Sequence, residues 1–103
     1  MARNGDFIGG VVCVFHVEEE SEKSRTLFQL TSWNGHHPKL EVRPQYFAKG
    51  EWKNNKLRGI NKDQLKILEN ILPDVQQFLE DFEDQDWQGW AEDGAEVFEL
   101  TEA

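Results

Sequence analysis

Cations alternate with flat rings along one stretch of the chain: Lys39, Arg43, Tyr46, Phe47, Lys49, Trp52, Lys53, Lys56 and Arg58. Lys23, Arg25 and Trp33 extend the pattern upstream. Holding a single nucleic-acid strand without strict sequence preference needs cations along the phosphates and rings beneath the bases. Each base stacked on an aromatic contributes about 1–3 kcal/mol. The candidate contacts are Arg25, Trp33, Lys39, Arg43, Tyr46, Trp52, Lys53, Lys56 and Arg58. Tyr46 and Trp52 have polar neighbours and are expected at the surface, whereas Trp33 fits core packing as well as a stacking platform. Lys62 and Lys66 belong to the solvent face of the helix that follows.

Other chemistries find little footing. The chain has no phosphate-binding glycine loop, no Cys-x-x-Cys pair and no nucleophile-elbow pattern, so a non-enzymatic role without a cofactor is expected. His36 and His37 are adjacent, and adjacent residues on a strand point to opposite faces. With only Cys13 and His16 as further soft groups, they read as turn histidines rather than a metal site. The single Cys13 excludes an intramolecular disulfide framework and fits a reducing interior. No apolar run approaches the roughly 20 residues of a membrane span, and MARNGDF lacks the apolar stretch of a signal peptide. A cytoplasmic protein without a membrane partner is expected.

Strands and one helix must position these residues. FIGGVVCVFHV (7–17) is β-rich, with Gly9-Gly10 marking a bulge or bend, and the acidic run 18–22 is expected to be a solvated turn. RTLFQLTSW (25–33) alternates cleanly, and Asn34-Gly35 is a hairpin signal because both residues tolerate positive φ. The next strand runs from Lys39 to Phe47, with an edge or a bulge at Pro44, which cannot donate to a ladder. Asn54-Asn55 predicts a turn and Lys56 to Ile60 a short fourth strand. Asn61 with Gln64 is a variant capping box that opens a helix at Lys62. Leu65, Leu68, Leu72, Val75, Leu79 and Phe82 give that helix an apolar stripe, which Ile71 and Phe78 widen. Pro73 is expected to kink it. The fold class is therefore α+β, a four-stranded curved antiparallel sheet followed by a C-terminal helix (β-β-β-β-α) and an acidic tail.

Ser32-Trp33-Asn34, Pro38-Lys39, a strand ending in Arg43, the ring of Tyr46, a basic loop and Arg58-Gly59-Ile60 before a helix occur here in one order. In these motifs the chain resembles the positive cofactor 4 family of transcriptional coactivators, including whirly-like proteins, and its bacterial and phage members most. The resemblance spans roughly 7–79. It implies a homodimer whose helices pack together, with Leu65, Leu68, Leu72, Val75 and Leu79 at the interface, and a sheet in each protomer that binds single-stranded DNA. It implies contacts for Arg43, Tyr46, Arg58 and Trp33, and places Gln45 where some members carry an aromatic. A bacterial protein of this kind would be nucleoid-associated.

Charge divides the chain. All 11 Lys and Arg lie between Arg3 and Lys66, whereas residues 71–103 hold eleven acids and no base, against a net −9 overall. Two parts are expected: a DNA-binding domain over 1–82 and an acidic tail over 83–103. The tail's acid density argues for disorder or weak order, while Trp87, Trp90, Val97, Phe98 and Leu100 are more apolar than a solvating tail needs. Such a tail would compete with DNA for the cations or recruit replication or transcription proteins. Its deletion from residue 84 on should then tighten DNA binding. The alternative function is an acidic protein-interaction module, a DNA mimic or regulator in which the acidic end makes the contact.

Overall fold

A computed structural model of the chain describes residues 7–100. Four strands, β1 (Gly9–Ser21), β2 (Ser24–Trp33), β3 (Lys39–Ala48) and β4 (Glu51–Asn54), form one antiparallel sheet in the order β1-β2-β3-β4. Helix α1 (Lys62–Asp81) follows, and a second, shorter helix α2 (Trp87–Glu92) lies in the acidic end. The α+β architecture of four antiparallel strands and a helix is the one the patterning predicts.

Alternation on β2 sorts the sheet into two faces, because directly opposed residues of an antiparallel pair share a face. Phe28 and Leu30 pair with Val42 and Leu40 of β3 and face the helices. With Val12, Cys13, Ile71, Val75, Trp87, Trp90 and Ala91 they form one buried core. Burial pushes the Cys13 thiol up, which makes it an inert core group. The β1 register slips at Val11/Cys13, Val14/His16 and Glu19/Ser21, three irregularities that bend the strand. Gly9 and Gly10 pair regularly; at φ 101° Gly9 lies so close to the Ser32 carbonyl that a Cβ would collide with it.

Two local expectations need correction, and the edge expected at Pro44 is present. The acidic run does not end β1, which continues to Ser21. Glu20 accepts from the Ser24 and Thr26 hydroxyls, and Glu18 accepts from Gln64 of α1. The fourth strand is Glu51–Asn54 rather than 56–60, because Lys49 and Gly50, at φ 53° and 80°, close a two-residue hairpin that pairs Phe47 with Trp52. Residues 55–61 then form a loop. At Pro44 the pairing with β2 is unbroken; its carbonyl accepts from the Asn55 N–H on the other side, where β4 has ended, so the missing donor deprives no partner strand.

The capping box is complete: Asn61 Oδ1 accepts from Gln64 N–H at 2.8 Å and Gln64 Oε1 accepts from Asn61 N–H at 3.1 Å. The helix passes through Pro73 without a break in its assignment. Its buried line is Gln64, Ile71 and Val75, flanked by the half-buried Ile67, Leu68, Phe78, Leu79 and Phe82. Val75 is therefore a residue of the protomer's own core, not of an outer dimer face. Leu68 and Leu79 pack beside it, while Leu65 (52%) and Leu72 (39%) remain exposed.

The acidic end is not weakly ordered over 83–100. Asp86 caps α2 through the Gly89 N–H, and Trp87, Trp90 and Ala91 are buried against β1 and β2. Phe98 stands among the rings of Phe78, Phe82 and Trp87, and its N–H donates to the Val12 carbonyl at 2.7 Å. Four aromatic and aliphatic anchors outweigh the local acid density, and they join this end to the core of the sheet and α1. Residues 101–103 lie outside the described residues.

Candidate nucleic-acid interface

No described element covers the face of the sheet opposite the helices. Cross-strand pairing lays out its rows: Glu19–Arg25–Gln45–Asn54, Val17–Leu27–Arg43, Val14–Gln29–Glu41 and Val11–Thr31–Lys39, with Trp33 beyond. The β1 side is aliphatic and the β3–β4 side polar. Leu27, Gln29 and Thr31 along the middle strand are buried even so, and Gln29 is hydrogen-bonded to Glu41 of β3. From Arg25 to Trp33 the face spans about 26 Å at the usual strand rise.

At one end, the Arg25 guanidinium lies over the Trp52 ring, 4.1 Å from its centroid. Arg25 Nε donates to Gln45 Oε1 at 2.8 Å, and Gln45 Nε2 donates to Asn54 Oδ1 at 2.8 Å. Phe47 meets the same indole in an edge-type contact at 5.3 Å. Mid-face, Arg43 donates from Nε and Nη2 to the Glu41 carboxylate and from Nη1 to the Asn55 carbonyl at 2.9 Å. The Arg43 hydrogen bond is the main cause holding the Glu41 carboxyl below its ordinary value, with Gln29 adding to it and burial opposing it. Gln29 donates to Glu41, yet its own Oε1 is buried with no partner. At the far end Trp33 is 44% exposed and meets Phe7 edge-on at 6.3 Å.

Five of the nine sequence candidates therefore share the open face: Arg25, Trp33, Lys39, Arg43 and Trp52. Four do not. Tyr46 and Lys53 oppose each other in the ladder and point to the helix side, at the end of the sheet beside Ser24. Arg58 lines a cleft of about 100 Å³ with Glu20, Thr26, Pro44, Asn61 and Gln64, also on the helix side. Lys56 is exposed on the loop. Arg43 and Trp52 thus share a surface from which Arg58 is absent. Among the described residues the ion pairs are Arg43–Glu41 and the loose Lys53–Glu51 at 3.9 Å.

Gln45, Asn54 and Glu41 are the residues that sequence reasoning missed. A hairpin placed at Lys49-Gly50 would have set Asn54 opposite Gln45 and Trp52 opposite Phe47. Elsewhere, a cleft of about 380 Å³ beside α2 is lined by Gln85, Asp86, Gly89, Trp90, Asp93 and Glu96. Among the described residues, no three His, Cys, Asp or Glu side chains gather as metal ligands, and no helix is long and apolar enough to cross a membrane.

No family model, curated protein or solved structure matches the chain.

Proposed function

We propose that this chain binds single-stranded DNA without strict sequence preference on the open face of its sheet, as a non-enzymatic accessory in replication, recombination or transcription. The observation that carries this function is the Arg25–Trp52 contact, a cation and a ring held together on the side no helix covers. Lys39 and the exposed Trp33 extend the same chemistry along the face, and the motifs shared with the positive cofactor 4 family point the same way. Arg43 is a weaker phosphate contact than the sequence suggested, since Glu41 neutralises it. A homodimer through the exposed Leu65 and Leu72 of α1, and a cytoplasmic location, belong to the same proposal.

One observation favours a second function. Past Lys66 no cation offsets the acids of α1 and α2, and Asp74, Glu80, Asp81, Glu83, Asp84, Asp86, Glu92 and Asp93 are all exposed. That surface suits an acidic interaction module or DNA mimic that docks a basic partner. Titration of labelled oligo-dT across a salt series separates the two. Single-strand binding requires an affinity that falls with log salt by about 0.7 per phosphate contacted, and loses several-fold in Trp52→Ala. An absence of binding at low salt leaves the acidic module.

A further inference from the structure

The contact between Arg25 and Trp52 also bears on which residue meets a base. The guanidinium covers one side of the indole, and Phe47 occupies a second approach. Gln45, itself held by Asn54, ties the Arg25 Nε in place. Among the described residues no carboxylate lies within ion-pair distance of Arg25, in contrast to Arg43. A base stacking on the covered indole face would have to drive Arg25 off both the ring and Gln45.

We propose that Arg25 carries the base: a nucleobase of single-stranded DNA stacks on the guanidinium, with Trp52 supporting it from the other side and Gln45 fixing its orientation. The inference rests on the single-stranded-DNA function above and assigns its stacking contact. A guanidinium is planar, delocalised and weakly hydrated, so it takes a flat base on one side and an indole on the other, and the N–H groups that Gln45 does not hold are left for phosphate. A lysine at this position has the charge without the plane. Trp52 and Gln45 are then positioning residues, and sequence selectivity stays low because every base offers a π-face.

The test uses the full chain, oligo-dT, and an abasic strand with the same number of phosphates. Arg25→Lys is expected to weaken oligo-dT binding about ten-fold, inside the range measured for stacking on a side chain, while its affinity for the abasic strand and its salt slope stay at wild-type values. Gln45→Leu, which keeps both Arg25 and Trp52, should lose affinity for oligo-dT in the same direction and by less. Wild-type or tighter oligo-dT binding by Arg25→Lys overturns the proposal and returns the base to Trp52, with single-strand binding intact. An equal loss on both strands also overturns it, because only charge or folding was then at stake. Failure of the unaltered protein to bind either strand removes the function on which the proposal stands.

Discussion

Arg43 is gripped by Glu41 from two positions earlier on the same strand, with Nη2 2.9 Å from Oε2 and Nε 3.0 Å from Oε1. The pair is mostly shielded, with side-chain exposures of 21% and 17%. The hydrogen bond from Arg43 favours the ionised carboxylate, and Glu41 titrates below its ordinary value. A carboxylate whose folded-state pKa is depressed contributes stability that is present above its unfolded value and lost as pH falls through the folded one.

Glu41→Gln should therefore lower stability at neutral pH and flatten the acid limb of the stability curve. On the proposed DNA face its effect has the opposite sign. Removing a negative charge and releasing Arg43 should tighten oligo-dT binding several-fold and steepen the log–log salt slope by about 0.7. Urea melts from acid to neutral pH and salt titrations measure the two effects separately. A variant that is less stable and binds no more tightly would show that Arg43 serves the sheet alone.

Deleting residues 84–103 was expected from the charge pattern to tighten DNA binding. Packing of this segment predicts a different outcome, since Trp87 and Trp90 are 4% and 8% exposed and Phe98 packs against the rings of Phe78 and Phe82. Loss of cooperative unfolding is expected for the deletion, and Trp90→Ala alone should cost about 3–5 kcal/mol. Denaturant unfolding followed by circular dichroism measures both. A truncated chain that melts like the full one would mean that the acidic end is detachable after all.

Where each residue's chemistry acted locally, the sequence could be read correctly. Clean alternation in β2 and the Asn61–Gln64 cap each have one strong local cause, and each is present in the fold, whereas the expected stripe on α1 divides between the buried Val75 and the exposed Leu65 and Leu72. The errors arise where tertiary contacts outweigh a local signal. Acids at 18–22 signalled a turn, but Gln64, Ser24 and Thr26 offered Glu18 and Glu20 hydrogen-bond partners along an extended strand. The composition of 83–100 signalled weak order, but two buried tryptophans decided otherwise. Within the candidate site, cation and ring types were legible, yet their faces depended on register. Moving the last hairpin from Asn54-Asn55 to Lys49-Gly50 put Trp52 beside Arg25 and turned Lys53 away, whereas Tyr46 shares the helix side with Leu40 and Val42 through the alternation of β3 itself.

Pro73 lies in the interior of α1 and supplies no N–H to the carbonyl of Glu69, an exposed residue open to water. Proline costs about 3 kcal/mol relative to alanine inside a helix, offset by about 1 kcal/mol because it also restricts the unfolded chain. Pro73→Ala should accordingly stabilise the protein by about 2 kcal/mol and raise its Tm. Calorimetry checks the sign. A fall in Tm would mean that the proline shapes the helix to fit the sheet.

Leu65 and Leu72 stand one heptad apart on the outer side of α1, with Leu79 half-buried a heptad further on, whereas Val75 points into the core at 3% exposure. Substitutions at the two kinds of site should have separable effects. Val75→Ala removes buried methyl groups and should cost about 2 kcal/mol of protomer stability, with the solution mass unchanged. Leu72→Glu changes an exposed position, so the protomer should keep its stability within about 0.5 kcal/mol, while a charge at the proposed interface drives the dimer apart. Sedimentation equilibrium alongside urea melts reads the two quantities independently. Should Leu65→Glu and Leu72→Glu together leave the mass of the wild-type assembly unchanged, the outer stripe of α1 does not hold two copies together, and the exposed leucines need another explanation.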